Sequence, residues 1–454
     1  MIDSIPQTPP LEIEEEMPAA ANCVQVSDAA GAYAPISLRL NFAWTFMGNA
    51  VYAGSQWAML VVLTKLGSPQ IVGQFALGLA IAAPVMMFSN LSLRTVLLTD
   101  SQGDLRFGNY LALRLVTTAL ALLIIAGIGF GARYRMETAL VVVAVGLAKC
   151  FESISDLLYG VLQRHERLDF IARSMIMKGP LSLAALGLGV YFSHRLLVGV
   201  LVMASVWGGL LLAYDAPNCE RLRRALGEDV PGAALQPRWA SVVVGGLIRT
   251  AVPLAFVQML TSLSANIPRY FVEHCCGERE LGIFAALAYV PVAGTTVVNA
   301  LAGSAFPKLA KYYAAADRTA FRRLVLQLVA AGALLGLAGL LTVVLFGRPI
   351  LTLLYSSEYA RQVDVFLWVM LAAGIGYVAA FLGNMLTATG AFKRLVIPYC
   401  IFPVAALTTS YILIPTLKLH GAAWTMCVMS ALSCVVSLLT FSRVKNRRAY
   451  APLA

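Results

Sequence analysis

The sequence predicts an all-α, polytopic membrane protein with about twelve transmembrane helices, arranged as two six-helix bundles related as parallel repeats. Three observations lead there. The 454 residues are 59% hydrophobic and only 13% charged, whereas a soluble domain averages about 45–50% apolar and about 25% charged. The apolar runs are about 20 residues long, the length that crosses the hydrocarbon core as helix, and they lack the alternation of barrel strands. The third is an internal echo. "SPQIVGQFALGLAIAAP" at 68–84 is answered by "NIPRYFVEHCCGERELGIFAA" at 266–286, so that Gly73 and Phe75 correspond to Gly282 and Phe284, a shift of 209 residues.

Residues 1–37 are polar, acidic and Pro/Ala-rich without an apolar h-region, and read as a disordered cytosolic tail rather than a cleaved leader. Membrane-length runs follow near 40–64, 70–92, 107–130, 138–161, 172–193 and 196–215. The second set lies near 241–267, 281–304, 323–346, 362–386, 395–415 and 420–441. The Arg-rich stretch 216–240 is a cytosolic linker between bundles at 38–215 and 241–441, and 442–454 is a basic cytosolic tail. Six is even, so both halves enter the membrane with the same orientation, the layout of transporters whose substrate cavity lies between repeats.

The formal charge of +11 reports loop orientation rather than nucleic-acid binding. Arg and Lys crowd one set of loops, as at Arg164, Arg167, Arg221, Arg223, Arg224, Lys308, Lys311 and Arg443. They are sparse on the other, at Lys65, Arg133, Arg135, Arg195, Arg279, Arg348, Arg361 and Lys418. The positive-inside rule then puts both termini in the cytosol. The eight cysteines show no CxxC spacing and mostly lie in apolar runs, where they act as small hydrophobes.

Ionisable groups inside spans cost several kcal/mol and mark functional sites or internal pairs. The fourth helix carries Lys149, Glu152 and Asp156 on one face. Either Lys149 neutralises Glu152 within the helix, or the face lines a hydrated cavity and serves ion coupling. Asn41, Asn49 and Gln56 share a stripe of the first helix. Arg114, Lys178 and Arg269 sit deep enough to be cavity candidates, whereas Arg173 and Arg249 are near enough to an interface to snorkel. For Arg269, beside Asn266, two readings stand: an interfacial anchor, or a phosphate contact at the cavity mouth. An excess of buried cations suits an anionic substrate, since Arg offers phosphate a bidentate fork. The substrate-binding candidates are therefore Arg114, Lys178, Arg269, Asn266, Asn49 and Gln56.

Several chemistries are missing. There is no G-x-x-x-x-G-K-[ST] phosphate loop. The four histidines (165, 194, 274 and 420) are scattered without a metal-ligand pattern. "GALLG" at 332–336 matches GxxxG, which in a membrane helix means close packing more often than dimerisation. No catalysis, metal or cofactor is expected, and a secondary transporter is the remaining class; Lys149, Glu152 and Asp156 are the candidates for any H⁺ or Na⁺ coupling.

"KCFESISDLLYGVLQRHERLDFIARSMIMKGPLSL" at 149–183 and "SANIPRYFVEHCCGERELGIFAALAYVPVAGTTVVNALAGSAFPKLAKYY" at 264–313 resemble the corresponding regions of polysaccharide biosynthesis flippases. These are the Wzx-like polysaccharide transporters of the multidrug/oligosaccharidyl-lipid/polysaccharide exporter superfamily. The resemblance spans about residues 38–441. Asn266, Pro268 and Arg269 fill the family's Asn-x-Pro-Arg positions, Glu152 and Asp156 its helix-four acidic positions, and Gln163 and Glu166 match its loop-side pattern. It implies a flippase of the bacterial inner membrane, moving an undecaprenyl-pyrophosphate-linked oligosaccharide by alternating access for exopolysaccharide, capsule or O-antigen synthesis. Its expected partners are that lipid-linked oligosaccharide, membrane lipids, and a polysaccharide polymerase and chain-length regulator. The alternatives are a multidrug cation exporter of the same fold and a non-transporting scaffold for polysaccharide assembly. A peptidoglycan-precursor flippase typically has more than twelve helices.

Overall fold

The computed structural model describes residues 36–99, 107–226, 235–315, 317–388 and 392–448; the N-terminal tail expected at 1–37 lies almost wholly outside them. The first half comprises α1 (Leu38–Leu66), α2 (Pro69–Ser89), the short α3 (Leu93–Thr99), α4 (Phe107–Gly131), α5 (Met136–Arg164), α6 (Leu168–Ser193) and α7 (Leu196–Leu210). A π-helical turn, Leu211–Asp215, joins α7 to α8 (Ala216–Ala225). The second half has α9 (Ser241–Cys276), α10 (Glu278–Tyr289), α11 (Val292–Ala314), α12 (Arg318–Leu354), α13 (Ser357–Ala360), α14 (Val363–Ala388) and α15 (Phe392–Arg448).

Among the described residues, ten segments are long and apolar enough to cross a membrane. Two refinements recover the expected twelve crossings. Helix α1 has 29 residues but is diluted by polar side chains, and α15 is two limbs meeting at Lys418, whose backbone (φ 51°, ψ −124°) is not helical. Exposed Leu123, Phe192, Leu212 and Leu345 give the outer surface its acyl-chain-facing character.

The halves repeat the same pairings. Helix α1 packs on α6 as α9 packs on the first limb of α15, and α4 packs on α5 as α12 packs on α14. Helix α7 packs on α6 and α5. GxxxG is used within the chain: a Cβ on Gly336 would lie 2.5 Å from Cα of Gly374, so the motif seats α12 on α14.

Two element ends differ from expectation. The Asn-Ile-Pro-Arg run does not end the seventh crossing; α9 continues past Pro268 to Cys276 and stops at Gly277, whose φ of 90° only glycine adopts without strain. Pro268 removes one backbone donor, a loss a membrane helix tolerates where neighbours re-satisfy the freed carbonyl. The sixth crossing runs ten residues beyond 215, because Ala216–Ala225 stays helical and lays buried Cys219 and Leu222 against the bundle.

The 209-residue echo turns out to be a contact. A Cβ on Gly73 would stand 1.7 Å from the carbonyl oxygen of Glu278, and one on Gly282 would stand 1.9 Å from that of Pro69. Glu278 and Pro69 are themselves related by the same shift, so α2 and α10 cross backbone to backbone about a pseudo-twofold. Helix α9 also packs along α2. Side chains reinforce the crossing. Glu278 accepts hydrogen bonds from Gln70 (2.9 Å), Gln74 (3.2 Å) and Thr138 (2.5 Å), and Tyr270 donates to the Ala80 carbonyl. The halves are therefore sealed at the end carrying Gly67 and Gly277, opposite the Arg-rich loops.

Candidate functional site

Glu152 lies 16 residues along α5, roughly 24 Å from its start, which is mid-membrane. Yet its side chain is 31% exposed, and that of Lys149 is 27% exposed. At that depth the pair is thus incompletely covered by protein. Lys149 holds Glu152 at 2.6 Å, as the within-helix reading anticipates, and Lys149 also lies over the Trp207 ring. Tyr52 of α1 donates to the other Glu152 oxygen at 2.5 Å.

Facing this group from the second half are Arg269 and Asn266 of α9, with Tyr289 at the end of α10 in electrostatic reach of both Arg269 and Glu152. Side chains of a helix tilt toward its N-terminus, and α9 begins at the Arg-rich end. Arg269 follows that tilt: its Nη1 donates to Oδ1 of Asn266, three residues back, at 2.7 Å. The guanidinium thus leans toward the middle of the membrane and away from the nearer interface. It lies eight residues before Gly277, close behind the seal. No ion pair is recorded for it among the described residues.

The other predicted residues fall elsewhere. Arg114 is fully buried, donating to Asn90 and to Ser153 (3.1 Å), with Asp156 at 3.8 Å. The break between α2 and α3, where Leu91 and Ser92 take φ of 47°, presents Asn90 to it. Asp156 turns from Glu152 to Arg94 of α3 at 2.8 Å, and Arg94 also holds Gln163. Lys178 is enclosed with Asp215 at 3.4 Å, their side chains 3% and 1% exposed. Ser155 and Tyr159 each stand 3.1 Å from its ammonium, while Ser174 donates to Asp215 at 2.5 Å. Asn41 anchors the Glu166 carbonyl and the Leu168 amide. Asn49 is exposed and bonds within its own helix. The amide nitrogen of Gln56 is buried without a hydrogen-bond partner. Among the described residues no cluster of His, Cys, Asp and Glu is placed to hold a metal.

Tyr52, Asp215 and Glu278 escaped sequence reading. Asp215 closes an apolar run in "LLAYDAP", where it passes for an interfacial residue. Only the partner Lys178, 37 positions away, shows it to be internal.

Two halves that cross backbone to backbone at glycines form the frame of the fold, and comparison with solved structures identifies it. The chain aligns with an inward-facing multidrug resistance MATE-family transporter of the MOP superfamily at a TM-score of 0.69, with 11% identity, covering 89% of this chain and 96% of that one. The chain has the MOP-transporter fold. A MOP-superfamily transporter from Pyrococcus furiosus, described as having a binding pocket of reversed polarity, aligns at a TM-score of 0.57 with 15% identity over 92% of this chain and 96% of that one. No family model matches. In sequence, this MOP-fold chain is 27% identical over 416 residues to the capsular polysaccharide biosynthesis protein CapF of Staphylococcus aureus, covering 89% of the chain and 99% of CapF. The resemblance to polysaccharide-type members of the superfamily therefore holds, and a membrane transporter in polysaccharide biosynthesis is the role these relatives support.

Proposed function

We propose that the protein is a flippase of the bacterial inner membrane that carries an undecaprenyl-pyrophosphate-linked oligosaccharide to the outer leaflet, with both termini in the cytosol. The observation that carries this reading is Arg269, a permanent cation inside the membrane whose guanidinium, among the described residues, donates to Asn266 and makes no ion pair. A cation in that position costs several kcal/mol unless an anion arrives, and a guanidinium matches phosphate with two parallel donors. The carboxylates point the same way. Glu152, Asp156 and Asp215 each already hold a cation, which leaves none of the three to receive a cationic drug.

In this reading the Arg-rich loops face the cytosol and the Gly73–Gly282 crossing is the outer seal. The headgroup enters from the cytosolic side, the lipid tail stays in the bilayer, and the halves rock to open the seal. H⁺ or Na⁺ coupling runs through Lys149 and Glu152; Arg114, Lys178 and Asp156 hold the first half rigid. The product is delivered to a polymerase and its chain-length regulator.

Proteoliposomes loaded with fluorescent lipid-linked oligosaccharide test this. Arg269→Gln should lower the flipping rate by at least about tenfold, one charge-assisted hydrogen bond's worth, and Arg269→Lys should retain part of it, at equal reconstituted protein. Wild-type flipping by Arg269→Gln overturns the reading.

A further inference from the structure

The second half contains a cavity of about 540 Å³ between α9, α14 and the two limbs of α15. Its wall carries Thr261, Ser264, Asn384, Ser430, Ser433 and Ser437, with Phe402 beside them and, among the described residues, no charged side chain in its lining. Its volume falls within the range of small-molecule pockets.

Three features identify the occupant. The polar groups are neutral, so the ligand part is uncharged. Several of the donors are spent on their own helices: Thr261 on the Val257 carbonyl (2.9 Å), Ser264 on that of Leu260 (2.7 Å), and the Asn384 amide on that of Ala380 (2.9 Å). What remains is acceptor capacity on Thr261, Ser264 and the Asn384 carbonyl oxygen, together with the hydroxyls of Ser430, Ser433 and Ser437, which both donate and accept, and that mixture suits a ligand rich in hydroxyl groups. A hydrocarbon tail would leave these acceptors unmet, which costs free energy for each group. The third feature is position. Thr261, Ser264 and Ala265 line the cavity, and Arg269 stands one turn beyond Ala265 on the same helix, a rise of about 6 Å. A sugar joined directly to a pyrophosphate on Arg269 would reach the cavity without a spacer.

We propose that this cavity is the glycan subsite: uncharged sugar rings of the cargo bind among the serines of α15 and Asn384, so that sugar selectivity resides in the second half, apart from the headgroup contact. This rests on the lipid-pyrophosphate reading above. The geometry assigns Ser433 and Asn384 to selectivity and Arg269 to the part common to every cargo.

The test is binding in nanodiscs with two probes: undecaprenyl pyrophosphate, and the repeat-unit-bearing lipid purified from the producing cells. Wild type should bind the glycosylated lipid about tenfold or more tighter, as two or more neutral hydrogen bonds imply. Ser433→Phe, which fills the cavity, should erase that increment while leaving affinity for the bare lipid within about twofold. The milder Asn384→Ala should reduce the increment without bulk, and thermal unfolding of both variants shows that they fold. An undiminished increment in both variants, or equal weakening of both lipids, overturns the glycan subsite while the headgroup reading stands. Wild-type failure to bind either lipid overturns the headgroup reading, and the subsite with it.

Discussion

The seal gives the sharpest prediction. Replacing Gly73 by Ala puts a methyl group where the Glu278 carbonyl oxygen is 1.7 Å away. Non-bonded heavy atoms settle near 3.5 Å, so α2 and α10 must part by roughly 1.8 Å. Both neighbours are backbone, so no side chain swings aside to absorb the change. Glu278 now accepts bonds of 2.9 and 3.2 Å from Gln70 and Gln74 of α2, and one of 2.5 Å from Thr138 of α5; at the new spacing the two from α2 fall outside hydrogen-bonding range. Bonds to charged groups are worth about 1.5–3 kcal/mol each. Allowing for water reaching a half-exposed carboxylate, the sealed state loses on the order of 3 kcal/mol, which depopulates it about a hundredfold. Gly282→Ala should do the same from the other side, with 1.9 Å to the Pro69 oxygen. Spin labels at Ser68→Cys and Ser357→Cys, exposed positions on opposite halves of the sealed end, report the change by pulsed dipolar spectroscopy in a background lacking native cysteines. The distance distribution should shift outward in both alanine variants. Unchanged distributions in both would refute the reasoning.

Four smaller predictions follow. Lys178→Met leaves Asp215 buried without its cation and should cost about 3–5 kcal/mol of stability, most of it recovered in Lys178→Met/Asp215→Leu, read as detergent-phase melting. Gly336→Leu pries α12 from α14 at a 2.5 Å approach and should cost about 1–3 kcal/mol while leaving the oligomeric state of the wild type unchanged by light scattering. Asn41→Ala removes the tie to Glu166 and Leu168 and should raise protease cleavage of the α5–α6 loop. Burial holds the Tyr355 phenol up at about 12, and burial with the nearby Glu273 charge does the same for Tyr134. Because both are raised in the folded protein, their contribution is complete below about pH 10, the unfolded value, and is lost as pH climbs toward 12. Melting temperature attributable to these tyrosines should therefore be flat from pH 7 to 9.

Much of the architecture was legible because the bilayer leaves few choices: a run of about 20 apolar residues has to be a helix. The repeat was legible at Gly73 and Gly282 for a physical reason. Backbone-to-backbone crossing admits no side chain, so the same residue is demanded in both halves. Pairings were legible only when local. Lys149–Glu152 lies three residues apart and was open to reading, whereas Lys178–Asp215 and Arg94–Asp156 depend on which helices become neighbours. Arg114, Lys178 and Arg269 look alike in sequence, each a lone cation in an apolar run. Only packing separates the two that are enclosed by several polar partners from the one that, among the described residues, meets Asn266 and no carboxylate.

That separation ties the seal to the cargo site. Arg269 and Tyr270 are adjacent on α9, so they point to different sides of the helix: Arg269 toward Asn266, Tyr270 across to the Ala80 carbonyl of α2. One segment of helix thus holds the proposed headgroup contact on one side and the Tyr270 tie to α2 on the other. Parting α2 from the second half releases Tyr270 and frees α9 to turn, and any turn that moves Tyr270 also re-aims Arg269. A cation held only by a neighbouring asparagine has no ion pair to break during that motion. An anion bound at Arg269 can therefore ride with the helix as the seal opens, which a guanidinium locked to a carboxylate, like that of Arg94, could not allow.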